Sequence, residues 1–140
     1  MNHHNVGDQS PKVPVLFLVL AAIYFLASLG HFAHNAEFIC EYPNLPEWLT
    51  RAKVYGFWIA ITLFGVMGYA LLRKKRAVLG LLFFAAYAAF GFDGLGHYAV
   101  APMAWHTFGA NFTILSEVAA AAALLGVTLH LLLRHLQRFH

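Results

Sequence analysis

The sequence has few charged residues and almost no cysteine, and each shortage excludes a class of protein. Charged side chains make up 11% of the residues, whereas hydrophobic side chains make up 61%. Water-soluble domains of this length rarely have such a composition, so we expect a membrane protein. Cys40 is the only cysteine, which excludes an internal disulfide and a metal site built from several thiolates.

Four apolar stretches are long enough to cross a bilayer, at residues 13–38, 54–72, 77–100 and 113–133. At a rise of about 1.5 Å per residue, each covers or nearly covers a hydrocarbon layer of about 30 Å. Hydrocarbon offers no hydrogen-bond partner to an open backbone, so we expect four transmembrane helices in an antiparallel bundle. The first stretch is too long and too polar at its far end for a cleaved signal peptide. The predicted fold class is therefore all-α, a polytopic integral membrane protein.

Basic residues are distributed unequally between the two ends of these spans. Arg51 and Lys53 lie at one end, and seven basic residues lie at the other: Lys12, Arg73, Lys74, Lys75, Arg76, Arg134 and Arg138. Because the side richer in lysine and arginine faces the cytoplasm, both termini are predicted to be cytoplasmic, in the inner membrane if the protein is bacterial. The basic residues flank spans and are not interleaved with aromatic residues, so nucleic acid is not a predicted partner.

Three segments follow from this topology. Residues 1–11 are polar and predict a flexible cytoplasmic tail. Residues 12–133 form the predicted transmembrane domain, and residues 134–140 a cytoplasmic basic tail. Between the first two spans, Pro43 and Pro46 end the helix, while Tyr42 and Trp48 suit the headgroup region, so a compact interfacial turn is expected.

Ionisable residues inside spans are concentrated toward the non-cytoplasmic end. They are His31, His34 and Glu37 in the first span, Asp93 and His97 in the third and Glu117 in the fourth, with His106 in the loop before the fourth; His130 lies at the cytoplasmic end of the fourth. The second span, taken as residues 54–72, has none. A charged residue at the centre of a membrane helix costs about 2.5 to 3.5 kcal/mol, so these positions favour a function over incidental polarity.

Their depth and spacing predict a shared site. Counting at about 1.5 Å per residue, His31, Asp93 and Glu117 lie near one level, just inside the outer membrane boundary. Steps of three residues place His31, His34 and Glu37 on one broad helix face, and a step of four aligns Asp93 with His97. Glycines flank these residues, at Gly30 and around Asp93 in "FGFDGLGHY", and permit close backbone approach.

Imidazole and carboxylate donors without thiolates are the ligand set of zinc, non-haem iron, copper(II) or manganese. The predicted metal ligands are His31, His34, Asp93, His97 and His106. Glu37 and Glu117 are predicted to act as general base or to orient a ligand. This pattern favours a metal-dependent membrane enzyme that acts on a small hydrophobic or lipid-like substrate from the non-cytoplasmic side, by oxidation or by hydrolysis.

Asp93-x3-His97 followed by His106 resembles the Asp-x3-His…His metal motif in the membrane C subunit of the copper-dependent methane and ammonia monooxygenases. The resemblance covers little more than one helix end, and eight residues separate the two histidines here. It implies oxidative chemistry at copper or iron.

Three other functions remain open at this point. Haem could bind between His97 and either His31 or His34 as axial ligands. The same residues could form part of an ion or proton path. A metal-free bundle could bind lipid or act as an isomerase with His and Glu as acid and base. The small residues of "AAAAALLG", from Ala119, also suit contact with a second copy or with a larger membrane complex.

Overall fold

The computed structural model of the protein describes residues 13–138, which are helical without β-strands. The five α-helices are α1 (Val15–Glu37), α2 (Arg51–Arg73), α3 (Ala77–Phe90), α4 (Gly96–Val100) and α5 (Phe108–Gln137). Short 3-10 helices lie at Ile39–Glu41, Asp93–Leu95 and Met103–Trp105. The predicted tail of residues 1–11, and Lys12, lie outside the described residues.

Four helical segments are long and apolar enough to cross a membrane: Val15–Glu37, Arg51–Arg73, Ala77–Val100 and Phe108–Gln137. The predicted number of spans and the all-helical class are confirmed. Two helices begin earlier than hydropathy predicted because of side-chain caps. Thr50 accepts a hydrogen bond from the Lys53 amide at 3.4 Å, and Thr107 accepts one from the Ala110 amide at 3.2 Å. Such caps satisfy amides that the first helical turn leaves free.

The last helix also extends further than predicted. It continues through Gln137, so residues 134–137 of the predicted basic tail are helical. Helix α5 carries apolar residues up to Leu136, and these maintain the helical pattern beyond the hydrocarbon-length stretch.

The third span is not one continuous helix, and this corrects the prediction that Asp93 and His97 lie on successive turns of the same α-helix. Helix α3 ends at Phe90, Asp93 lies in a 3-10 helix, and His97 lies in α4. Glycine in a helix interior is less favourable than alanine by about 1 kcal/mol, and three glycines fall within residues 91–96. The break redirects Asp93 and His97 relative to a straight helix.

Aromatic residues form the main core of the bundle. Phe17 packs edge-to-face on Phe84 with ring centroids 4.8 Å apart, and Tyr24 packs on Tyr87 at 4.6 Å. The Tyr24 hydroxyl donates to the Tyr87 backbone carbonyl at 3.0 Å, which satisfies a polar group buried between helices. These contacts tie α1 to α3, and Leu124 of α5 joins the same core.

Small residues allow the helices to approach closely. On α5, Ala120 and Ala121 of the predicted contact stripe are buried inside this chain, so at least part of the stripe serves the bundle itself. Between α2 and α3, a Cβ placed on Gly80 would lie 2.9 Å from the Gly68 carbonyl oxygen and 2.8 Å from Leu72 Cγ. Helices in lipid associate through such close packing.

Gly80→Ala is expected to destabilise the folded protein by about 1–3 kcal/mol, because the added methyl group overpacks the contact between α2 and α3. The matched control is Gly126→Ala in α5, where a Cβ meets nothing within 4 Å. The control should be neutral or slightly stabilising, since alanine favours helix. Denaturation in mild detergent, followed by circular dichroism, measures both. Equal stability of the two variants would contradict the close approach.

Candidate functional site

A polar cluster lies where the end of α1 meets the break in the third span and the beginning of α5. We define the polar cluster by its members: His31, Asp93, His97, His106 and Glu117. At its centre, His31 Nε2 lies 3.8 Å from Glu117 Oε2. Both side chains are buried, with His31 2% exposed and Glu117 0% exposed. The two residues therefore meet at one level, as their predicted depths required.

The break in the third span contributes backbone to this centre. A Cβ placed on Gly94 would lie 3.6 Å from both His31 Nε2 and Glu117 Oε2. The glycine backbone thus packs against the two facing atoms without a side chain between them. Close backbone approach was predicted from the glycines of this segment, and Gly94 is the one that makes it here.

His97 lies beside His31, with ring centroids 5.4 Å apart at an interplanar angle of 79°. Asn35 orients this ring, because its Nδ2 lies 3.0 Å from His97 Nε2. The amide comes from α1, one turn after His31, so α1 supplies both a cluster member and the partner that holds another. Asn35 was not among the predicted site residues, although its step of four from His31 was an available signal.

His106 belongs to the loop before α5, and hydrogen bonds hold that loop in place. Asn111 Nδ2 donates to the carbonyl oxygens of Met103 and His106 at 3.2 and 3.4 Å. The His106 Nδ1–H donates to the Pro102 carbonyl at 3.1 Å. In the neutral imidazole Nε2 is then the unprotonated nitrogen, and this buried atom has no hydrogen-bond partner within the described chain. An imidazole fixed through Nδ1 with a free Nε2 is the usual state of a metal-ligating histidine.

Tyr42 is the residue whose observed environment differs most from its predicted one. It was predicted to lie at the headgroup level, yet it is 3% exposed. Its ring centroid lies 4.8 Å from His97, 5.8 Å from His34 and 6.3 Å from both His31 and His106. Burial raises the pKa of the Tyr42 phenol to about 12, so its hydroxyl stays protonated near neutral pH. No local sequence signal predicts this position, because the 3-10 helix after α1 determines it.

His34 lies at the edge of the site. Its Nδ1 shares a hydrogen bond of 2.9 Å with the Tyr42 hydroxyl. Its Nε2 packs against the first turn of α5, where a Cβ on Gly109 would approach within 2.6 Å. His34 therefore contacts Tyr42 and α5, whereas His31 contacts Glu117 and His97. The shared face predicted for His31 and His34 separates into two neighbouring environments.

Glu37 lies away from the polar cluster. Its Oε1 is 2.6 Å from Arg51 Nη2 and accepts a hydrogen bond of 2.8 Å from the Tyr55 hydroxyl. This ion pair joins the end of α1 to the beginning of α2 on the exposed surface. Glu37 is the last residue of α1 and lies beyond the buried part of that helix. Its position therefore does not support the predicted role near a metal.

A cavity of about 210 Å³ opens beside the cluster. His31, Asp93, His97 and Asn35 supply its polar wall, and Phe32, Leu49, Val54 and Phe57 supply its apolar wall. Asp93 is exposed, so it lies toward the opening of the cavity. A pocket with apolar walls and a few convergent polar groups is the usual form of a small-molecule site.

Several buried polar atoms around this centre lack a hydrogen-bond partner within residues 13–138. They are Ser28 Oγ, His31 Nδ1, Asn35 Oδ1, His106 Nε2 and both carboxyl oxygens of Glu117. Native proteins leave few buried polar atoms unpaired, and each such atom requires an explanation. Around this centre, therefore, several buried polar atoms have hydrogen-bonding capacity that residues 13–138 do not use.

Among the predicted metal ligands and their neighbours, His31 and Glu117 face each other as a pair. Within residues 13–138, no three His, Cys, Asp or Glu side chains converge closely enough to hold a metal ion without rearrangement. Haem fits poorly between His31 and His97, because axial imidazoles must leave room for the macrocycle between them. Their edge-to-face contact at 5.4 Å occupies that space.

Comparison of the chain with protein-family models, with curated proteins and with solved structures finds no match.

Proposed function

We propose that this protein is a multi-pass membrane metalloprotein whose polar cluster binds a transition metal ion. One observation carries the proposal: the carboxyl group of Glu117 is fully buried in a membrane-length helix, neither oxygen has a hydrogen-bond partner within 3.5 Å among residues 13–138, and one oxygen faces His31 Nε2 at 3.8 Å. An unpaired buried carboxylate is costly in this environment. A cation between Glu117 and His31 would remove that cost.

The distance between the two donors suits a bridging ion. Zinc lies about 2.0–2.1 Å from a histidine nitrogen and about 2.0–2.2 Å from a carboxylate oxygen. Two such donors are about 3.4 Å apart at a tetrahedral angle and at most about 4.2 Å apart in line. The observed 3.8 Å exceeds a hydrogen bond and lies between these limits, so an ion would fit between the two atoms at an N–metal–O angle wider than tetrahedral.

His97 lies beside His31 with ring centroids 5.4 Å apart, and His106 already has its Nδ1–H bonded to a carbonyl. Asp93 also lines the cavity, in the same polar wall as His31 and His97. A ligand set of imidazoles and carboxylates suits zinc, iron, copper or manganese. We leave Glu37 out of the proposed site, since Arg51 and Tyr55 hold it elsewhere, and we assign Glu117 as a metal ligand or as the general base beside the metal.

The cavity supports an enzymatic role on a small hydrophobic or lipid-like substrate. Its apolar wall comes from α1, α2 and the turn before α2, and its polar wall lies at the proposed metal site. A substrate with an apolar body and one reactive polar group would place that group beside His31 and His97, which line the cavity. The bound metal would activate either water for hydrolysis or oxygen for oxidation.

We further propose the orientation expected from the basic residues: successive spans antiparallel, both termini cytoplasmic and the polar cluster toward the non-cytoplasmic side. Two observations support it. The turn between α2 and α3 is short and basic. All described acidic residues lie at the other end, at Glu37, Glu41, Glu47, Asp93 and Glu117.

A second candidate function is metal-free acid–base catalysis, such as a double-bond isomerisation. The observation that favours it is that His31 and Glu117 face each other at 3.8 Å and that His31 also lines the partly apolar cavity. One can accept a proton while the other donates one. The two candidates use the same residues and differ in whether a metal occupies the space between them.

Metal content distinguishes the two candidates. Protein purified in mild detergent, dialysed and loaded in turn with zinc, iron(II), copper(II) or manganese(II) is expected to retain one equivalent of at least one of them. Elemental analysis measures retention, and the optical spectrum tests for haem in the same sample. Glu37→Gln is the matched control, a carboxylate removed from the same end of the bundle, and should retain the metal. Absence of stoichiometric metal under all four conditions would refute the metal proposal and leave acid–base chemistry.

A further inference from the structure

A second cavity, of about 300 Å³, lies at the other end of the bundle. It is surrounded by the beginning of α1, the end of α2, the beginning of α3 and the end of α5. Its lining residues are remote from the polar cluster along each of these helices, so it is a separate feature. The proposed metal site makes no use of it.

The lining of this cavity is amphipathic. The walls are apolar, formed by Val13, Pro14, Leu72, Ala77, Leu81 and Leu131. Arg134 and His135 in the last turn of α5, and Arg138 directly after its end, add basic side chains. Arg138 follows Arg134 by four positions in helical conformation, so the two side chains lie on the same side of this helix end. A ligand in this cavity would have one apolar part and one anionic part.

Among residues 13–138, the charged side chains at this end are all basic. Arg134 and Arg138 are exposed, and neither forms an ion pair within residues 13–138. Arg73, Lys74, Lys75 and Arg76 lie in the neighbouring turn. The acidic residues that the structure describes all lie at the end with the polar cluster. An anion at the second cavity would therefore meet no opposing acidic side chain from the described chain.

We propose that this cavity binds an anionic phospholipid, with its phosphate on Arg134 and Arg138 and the upper part of an acyl chain against the apolar walls. Two features favour a lipid over a soluble anion. The cavity lies at the ends of membrane-length helices, where phospholipid headgroups are present. Basic residues at this depth attract anionic lipids, and basic pockets between transmembrane helices bind their headgroups. The proposal is independent of the metal site, so either can fail alone.

Native mass spectrometry of the full chain tests the proposal with phosphatidylglycerol and phosphatidylcholine of identical acyl chains. We expect preferential retention of phosphatidylglycerol. Loss of both arginines in Arg134→Gln/Arg138→Gln should reduce that preference about 25-fold, at about five-fold for each basic residue. The matched control Arg73→Gln/Lys74→Gln removes two charges from the same end but outside the cavity lining, and should retain most of the preference.

A variant that fills the cavity tests the apolar half. Leu131→Trp keeps both arginines and occupies space against the wall, so it should reduce retention of phosphatidylglycerol while circular dichroism reports an unchanged helical content. Equal retention of the two lipids by the unmodified protein would overturn the proposal. So would an equal loss in the arginine variant and its control, which would indicate a diffuse charge effect. Displacement by millimolar inorganic phosphate would indicate a soluble-anion site instead.

Discussion

Glu117→Gln is expected to lower metal affinity by at least about 100-fold, because loss of a residue that merely orients a ligand already lowers affinity by about 10–100-fold. Glutamine keeps the size of the side chain and removes its negative charge. His31→Gln should have a similar effect, since it removes the nitrogen that faces the carboxyl group at 3.8 Å. Both changes remove donors from the centre of the polar cluster and leave the helices intact.

Isothermal titration with the metal retained by the unmodified protein measures this loss. Glu37→Gln should bind as the unmodified protein does, because its carboxylate is engaged by Arg51 at 2.6 Å. Unchanged metal affinity in both Glu117→Gln and His31→Gln would contradict the assignment of the site to these two residues, even if the protein binds metal elsewhere.

Stability of the metal-free protein gives a second test of the same carboxyl group. Glu117→Leu replaces two unpartnered buried oxygens with an apolar group of similar size. Each unsatisfied buried polar group costs about 1–3 kcal/mol, so the melting midpoint of the metal-free variant should rise by several degrees. Metal binding should be lost in the same variant. A lower midpoint would show that Glu117 serves the fold.

Gly91→Ala is expected to produce a large loss of stability, of about 3 kcal/mol or somewhat more, because its methyl group has no room. A Cβ on Gly91 would lie 2.5 Å from Ala121 Cβ and 2.6 Å from Tyr24 Cε2. These neighbours belong to α5 and α1, so the variant forces both helices away from the break in the third span. Real Cβ contacts are essentially never this short.

A double variant makes the prediction specific. Ala121→Gly removes one of the two obstructing neighbours, so Gly91→Ala/Ala121→Gly should regain part of the lost stability. Gly96→Ala is the control in the same segment, where a Cβ meets nothing within 4 Å. It should unfold at the same temperature as the unmodified protein. Thermal unfolding in detergent compares the variants. If Gly91→Ala and Gly96→Ala unfold at the same temperature, the close contact of the three helices is wrong.

The spans could be predicted because hydrocarbon imposes a local rule on sequence. A segment must be apolar for about 20 residues to cross the membrane as a helix, and this requirement is visible without knowledge of neighbours. The first residues of α2 and α5 were less predictable, because Thr50 and Thr107 cap these helices at their beginnings through hydrogen bonds that hydropathy does not detect. Hydropathy also failed to predict that the third span breaks after Phe90, because the residues on both sides of the break are mostly apolar.

The candidate site was predictable in part. Depth along each span placed His31, Asp93 and Glu117 at one level, and the structure brings His31 and Glu117 into contact. Direction was less predictable, since a shared helix face spans many orientations. His34 contacts Tyr42 and α5, and Glu37 pairs with Arg51 on the surface. His31, His34 and Glu37 are spaced by about one helical turn each, and each has a different environment.

The sequence alone predicted the membrane environment of this protein, its four spans and the concentration of acidic and histidine side chains of the first and third spans toward one end, since each depends on the composition of a short segment. Tertiary structure alone decided that Tyr42 lies among four histidines, that Asn35 holds His97 and that His106 keeps an unpaired Nε2. These features depend on the path of two loops and on the contact of helices distant in sequence. Hydropathy and helical period describe one segment at a time, so they contain no information about such contacts.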